Sequence, residues 1–333
     1  MSVASQVTMQ RAPARTVGAP RSLRRRGGWV ERIIEIAIRA VALLSIAAIL
    51  LILLFVGKEA LPLLTSSDVH REVTFGSLFE PLRQSGESAY TWQPVSEVPK
   101  YNVIPLIVGS LKITLVSLAF AVPLSVAAAV YVSEYARPRV REIVKPAIEL
   151  LAGVPSVVVG FFALVVLATW VQDTFGTEHR LNVLVAGIGL SFAICPIVFS
   201  VSEDALRAVP GSYREAALAM GSTRAQTVLR VVLPAAGPGI AASFVLGFGR
   251  AIGETMIVVI ASGNAALLDG SVGHSARTIT ATIAQELGEV VVGSAHYDVL
   301  FALGALLFIA TFVVNFVGER IVHGMRRRLG TAS

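Results

Sequence analysis

Charge and cysteine are both scarce in this chain. Of its 333 residues 15% are charged and 54% are hydrophobic, and the mean hydropathy is +0.72. Soluble globular domains carry about a quarter of their residues as charges, so that class is excluded. The single cysteine, Cys195, lies inside an apolar run. It excludes an intrachain disulfide and a thiolate metal cluster, and it reads as a small buried hydrophobe. A phosphate loop of the G-x-x-x-x-G-K-[ST] type is also missing: Gly57-Lys58 is followed by Glu59 and lacks the earlier glycine. The Gly-x-Gly at 247–249 has no strand–helix unit around it, so no dinucleotide loop is expected there. The net charge of +6 sits at the ends of apolar runs, which argues for membrane orientation and against nucleic acid.

What the chain has in abundance is long apolar stretches. A hydrocarbon core of about 30 Å demands roughly 20 apolar residues per helix. Six such spans are expected, at about 35–57, 104–132, 146–171, 182–202, 236–261 and 298–319. The segments 133–145, 203–233 and 320–328 are rich in arginine and lysine, among them Arg137, Arg141, Arg207, Arg214 and Arg326. The alternate segments 58–103, 172–181 and 262–297 are poorer in basic residues and comparatively acidic. The positive-inside rule then puts both termini on the cytoplasmic side of the membrane, with the spans in contact with its lipid. No secretory signal is expected at the N-terminus, where an Arg-rich polar stretch leads into a run long enough to span.

The expected organisation has four parts. Residues 1–34 form a basic, disordered cytoplasmic tail, and 35–103 a first transmembrane helix with a long outer loop. Residues 104–325 form the core, with a polar loop at 211–234, and 326–333 a basic cytoplasmic end. In the outer loop Pro62, Pro81, Pro94 and Pro99 argue against one continuous helix, and Tyr90, Trp92 and Tyr101 suit an interfacial position. Pro123, Pro155 and Pro196 fall inside spans, where kinks are expected. Lys112 can snorkel from the outer end of its span, and Glu149 stands one turn from Lys145, a local pair.

Between the fourth and fifth spans runs Glu215-Ala-Ala-Leu-Ala-Met-Gly221, continuing to Val231, Leu233 and Pro234. It reads as a short helix, a glycine turn and a second helix, with Gly221 in a left-handed conformation. Ala216, Ala217 and Ala219 offer a small-residue face for close approach. An ordinary amphipathic loop has the same local features. The spacing resembles the EAA loop of ABC importer permeases, with Val231 in place of the more usual isoleucine. That resemblance covers roughly residues 104–325. It implies an all-α membrane protein with a MetI-like permease core. It also implies that Glu215, Ala216, Ala217 and Gly221 couple to a separate ABC ATPase dimer. The chain itself would then be non-catalytic and hold no cofactor, with ATP and Mg bound by the partner.

The fifth span contains Gly247-Phe-Gly-Arg-Ala-Ile-Gly-Glu-Thr-Met256. Arg250 and Glu254, four residues apart, share a face if the helix is continuous. A charge at mid-bilayer costs about 3 kcal/mol by insertion measurements, so both are expected to face protein or a wet path. One reading is a packing salt bridge beside the Gly249/Gly253 small-residue pair. The other is an anion site: arginine fits a tetrahedral oxyanion with two donors, and a carboxylate accepts a hydrogen bond from an anion that keeps a proton. This run, with Gly263-Asn264, resembles the phosphate-specific ABC permeases. The basic tail, the outer loop and Glu149-Leu-Leu-Ala-Gly-Val-Pro-Ser156 resemble PstC more than PstA. The resemblance implies translocation roles for Arg250 and Glu254, a PstA-like second permease, a PstB-like ATPase and an extracytoplasmic PstS-like phosphate-binding protein. A PstA-like subunit, a permease for another oxyanion, and a secondary transporter or scaffold stay open as alternatives.

Overall fold

A computed structural model describes residues 29–84 and 87–328. The chain divides into two compact units, Met1–Ile52 and Leu53–Ser333. The helical order is α1 (Trp29–Ala60), α2 (Pro62–Thr65), α3 (Ser67–Glu72), α4 (Ile104–Val130), α5 (Pro138–Leu151), α6 (Ser156–Phe162), α7 (Ala168–Phe175), α8 (Val183–Ala208), α9 (Gly211–Ala219), α10 (Arg224–Thr227), α11 (Leu233–Ile252), α12 (Met256–Ala261), α13 (Ile279–Glu286) and α14 (Ala295–Arg328). Wider, π-type turns extend α4 to Tyr135, join α6 to α7, and join α10 to α11. Among the described residues, six helical runs are long and apolar enough to cross a membrane. The expected six spans are therefore present. Of the expected tail, residues 29–34 are already helical and 1–28 lie outside the described residues.

Two spans differ from the sequence expectation. The third does not start at 146: α5 buries no residue and ends at Leu151, and a turn through Gly153 and Pro155 precedes the span Ser156–Phe175. Pro155 caps the start of α6 and does not kink a helix; Pro123 and Pro196 do lie inside continuous helices, α4 and α8. The fifth span runs from Arg224 to Ile252 and stops there, 9 residues short of the expected end at 261.

In the second unit the described residues form three apolar clusters. The central one joins α4, α6, α7, α8 and α12 around Ile113, Val171, Leu190, Ile194 and Ile257. A second, at the end that carries α9, packs Ala129, Phe199, Leu206 and Val232. The third, at the opposite end, packs Leu63, Val73, Trp92, Tyr101 and Leu106 against Ile279, Val299 and Leu303. Between these clusters the helices are tied by polar contacts: Ser125 Oγ donates to the Cys195 carbonyl at 3.0 Å, and Ser202 and Ser243 share a buried bond of 2.9 Å. The outward faces of the spans are apolar, as at Leu115, Leu124, Val158, Phe161, Phe312 and Phe316. Such a surface suits lipid or another subunit.

The segment after α1 is folded as expected, and two of its aromatics pack inside it. Strands β1 (Leu82–Gln84) and β2 (Glu87–Ala89) pair antiparallel, as do β3 (Trp92–Gln93) and β4 (Lys100–Tyr101). Trp92 and Tyr101 are buried, and Trp92 Nε1 donates to both carboxylate oxygens of Glu286, at 3.1 and 3.2 Å. Burial, with Glu72 and Glu286 adding repulsion, pushes the Tyr101 hydroxyl up to about 12. Lys112 turns back onto the chain instead of reaching for solvent: its Nζ donates to the carbonyls of Asp269 and Ser271 at 2.8 and 2.5 Å.

Candidate functional site

The break in the fifth span is local chemistry. Gly253 caps α11 with φ −88° and ψ −6°, Thr255 sits at φ −116°, and α12 starts only at Met256. Arg250 therefore occupies the last turn of α11, and Glu254 lies in the non-helical step. The expected shared helix face at mid-span is not what forms. Arg250 is at the far end of the run, where a cation also complements the helix dipole. Neither side chain makes a hydrogen bond or ion pair with the other among the described residues, which removes the packing salt bridge. Arg250 is exposed and Glu254 is half-buried. Of the expected small-residue pair, Gly249 faces Asn315 of α14, while Gly253 serves the break.

The chain returns to this break. After α12, Gly263 and Asn264 both take left-handed backbone, with φ 76° and 54°. Gly263 has no room for a side chain, since a Cβ there would stand 2.8 Å from the Leu181 carbonyl oxygen. The segment then leads to α13, whose Thr278 side chain accepts from the Ala281 amide at 3.2 Å, and Thr280 Oγ1 donates to the Glu254 carbonyl at 2.9 Å. Arg277, just before α13, donates to Glu286 Oε1 and Gln285 Oε1, each at 2.8 Å; His296 Nε2 meets Glu286 Oε2 at 2.9 Å. Sequence reasoning passed over Arg277. The available signal was that it is the one arginine or lysine between 262 and 297.

At the opposite end, α9 holds the Glu-Ala-Ala stretch. Glu215 and Ala216 are exposed, whereas Ala217 is buried against the chain's own core. The expected single face of Ala216, Ala217 and Ala219 is thus split: only Ala216 and Ala219 face outward, alongside Leu218 and Met220. The helix ends as expected at Gly221, with φ 83°. The Gly221 amide reaches the Leu218 carbonyl at 2.9 Å and the Ser222 amide the Ala217 carbonyl at 3.1 Å, a Schellman cap. A Cβ at Gly221 would meet nothing within 4 Å. Gly221→Ala is therefore expected to destabilise by the backbone term alone, about 1 kcal/mol; thermal unfolding in detergent reads it as a drop of a few degrees. Thr223 and Gln226 then form a reciprocal capping box that starts α10.

What the sequence did not show is how firmly α9 is clamped. Arg214 donates from Nε and Nη2 to the two carboxylate oxygens of Glu134, at 3.1 and 2.6 Å. It also donates to the carbonyls of Val209 and Leu206, at 2.7 and 2.9 Å. Arg224 donates to the Glu134 carbonyl and lies 5.3 Å over the Tyr135 ring. One arginine thus ties α9 to the last turns of α4 and α8. Close by, fully buried Glu203 on α8 takes charged hydrogen bonds from Arg141 and from Lys145 (2.8 Å) on α5. Lys145 therefore pairs across helices with Glu203 and Asp204, and its expected pair with Glu149 does not form. These bonds hold the Lys145 ammonium above its ordinary range, its bond to Glu203 first among the causes.

Residues 121–330 match the family model "Binding-protein-dependent transport system inner membrane component". The chain is 36% identical over 278 residues to the probable ABC transporter permease protein YqgH of Bacillus subtilis, covering 83% of this chain and 85% of that one. It is 31% identical over 303 residues to the phosphate transport system permease protein PstC of Mesorhizobium japonicum, covering 85% and 89%. In fold it is similar to a chain of a bacterial ABC transporter involved in the import of the acidic polysaccharide alginate, with a TM-score of 0.59 at 17% identity, covering 89% and 98%. On this evidence the chain belongs to the binding-protein-dependent transport system inner membrane components and is, within them, a PstC-like ABC permease.

Proposed function

We propose that this chain is one of two permease subunits of an ATP-driven phosphate importer in a bacterial plasma membrane, with both termini cytoplasmic. The observation that carries the substrate is Arg250, a guanidinium at the end of a membrane-crossing run that is exposed and unpaired among the described residues. Against lipid a charge is costly. Against a wet path shared with a second permease it is a two-pronged oxyanion donor. Half-buried Glu254, four residues on in the non-helical step, accepts a hydrogen bond from the proton that phosphate carries near neutral pH and sulfate lacks. The phosphate permeases among the relatives support the same cargo.

The machinery follows from α9. Its exposed side, Glu215, Ala216 and Met220, docks on a separate ABC ATPase, and Gly221 ends it at the docking surface. ATP and Mg belong to that partner, and this chain holds no catalytic residue. An extracytoplasmic phosphate-binding protein delivers substrate at the end that carries Trp92. Single cysteines test the docking. Ala216→Cys and Met220→Cys are expected to crosslink to the ATPase, and inward-facing Ala217→Cys is not. Absence of any crosslink from the exposed positions would sink the docking assignment. For the function as a whole, the gene restores ATP-dependent uptake of labelled phosphate to a strain lacking its phosphate permeases; no restoration, with the complex present in the membrane, contradicts it.

A further inference from the structure

Two loops, one before α8 and one before α13, bring together a set of side chains outside the candidate transport site. Glu178 and His179 lie between α7 and α8, and His274 lies between α12 and α13. One ligand atom from each falls within 4.8 Å of the others. His274 Nε2 is 3.6 Å from Glu178 Oε2, and the two imidazole rings are 5.4 Å apart between centroids. A metal at about 2.1 Å from its ligands places tetrahedral ligand atoms about 3.4 Å from one another. The His274–Glu178 pair already has that spacing. Glu178 and His179 are exposed, so their side chains have freedom to close the remainder.

The surroundings match a metal site in two further respects. Asp269 Oδ2 takes the hydrogen bond of His274 Nδ1, which assigns the proton to Nδ1 and leaves the Nε2 lone pair aimed at the Glu178 carboxylate. A cation relieves two acceptors that face each other, either a second proton on the imidazole or a metal ion, and a carboxylate behind a histidine is the usual support of a ligating imidazole. Asp269 is itself held in place by the Ser271 amide at 2.8 Å. The loops are also preassembled. The Val183 and Leu184 amides donate to the His274 and Val272 carbonyls at 3.1 and 3.0 Å. Ser275 Oγ donates to the Leu181 carbonyl at 3.0 Å, and Asn182 Nδ2 to the His179 carbonyl at 2.7 Å. Lys112 is engaged by the backbone carbonyls of Asp269 and Ser271 and not by the ligand atoms.

We propose that Glu178, His179 and His274 bind a divalent transition ion of the zinc class, with Asp269 orienting His274. Two imidazoles and one carboxylate suit zinc, nickel or cobalt better than calcium or magnesium, which prefer all-oxygen shells. The ion clips the loop after the third span to the loop that follows α12, and so stiffens that end of the bundle. The site stands independently of the phosphate assignment.

The test uses the full chain, purified without a histidine tag and kept in detergent. Equilibrium dialysis against zinc, read by elemental analysis, is expected to give one ion per chain. Cobalt is expected to give the visible absorption of a four-coordinate site. His179→Ala and His274→Ala abolish both, and Asp269→Asn weakens zinc binding by about ten- to a hundredfold. Zinc raises the melting temperature of the wild type and leaves that of His179→Ala unchanged. His179 is an exposed loop residue, so that variant keeps the test open if His274→Ala fails to fold. A wild type that retains no zinc overturns the proposal, as does a His179→Ala chain that binds zinc as tightly as the wild type.

Discussion

Replacing Arg214 by alanine is expected to uncouple transport from ATP hydrolysis. The side chain makes two charge-assisted bonds to Glu134 and two bonds to the carbonyls that close α8. Charge-assisted bonds contribute about 1.5–3 kcal/mol each. Without them α9 can move while α4 and α8 stay behind. Phosphate uptake by the assembled complex is expected to fall at least about tenfold, which takes about 1.4 kcal/mol of lost coupling. ATP hydrolysis by the same complex persists. Glu134→Gln keeps the two carbonyl bonds and is expected to lose less. Parallel loss of uptake and hydrolysis would point to failed assembly; unchanged uptake would mean that the clamp carries no force. Helix shifts at interfaces are a common way to pass such movement on.

Arg250→Gln is the second large effect. A C-terminal cation on a helix contributes about 0.3–1 kcal/mol, and Arg250 has no ion pair to lose among the described residues. The variant is therefore expected to fold and reach the membrane at the wild-type level. Loss of a two-donor contact to an oxyanion costs about 1.5–3 kcal/mol, or about ten- to a hundredfold in uptake at low phosphate. Arg250→Lys keeps the charge but not the planar fork, and falls between the two. Wild-type uptake by Arg250→Gln, with membrane levels matched, would remove Arg250 from the path.

Hydropathy was sufficient to find six crossings, because a span is a local property of about 20 residues. It was insufficient at two boundaries, where apolar residues continue through a structural break. Leu150, Leu151, Ala152 and Val154 make the chain look continuous from α5 into α6, yet the turn at Gly153 and Pro155 separates them. Likewise Ile257 to Ala261 are as apolar as a span, and only Gly253 marks the stop. Reading that stop correctly moves Arg250 from mid-span to the end of a helix and takes Glu254 off that helix. The Glu215–Gly221 stretch was legible because its chemistry is local: a capped helix, a left-handed glycine and a second cap. The inward turn of Ala217 was not, since it depends on what α9 packs against. The clamps were invisible for the same reason. Glu134 and Arg214 are 80 residues apart, and Trp92 and Glu286 are 194 apart. No periodicity links such pairs.

The most direct measurement is anion uptake by proteoliposomes. They would hold this chain with its second permease and ATPase, with the binding protein supplied on the side that carries Trp92 and ATP on the side of α9. The predicted result is uptake of labelled phosphate that requires both ATP and the binding protein, and that excess arsenate suppresses while excess sulfate does not. ATP-driven uptake of sulfate in place of phosphate, or phosphate uptake that proceeds without ATP, would contradict it.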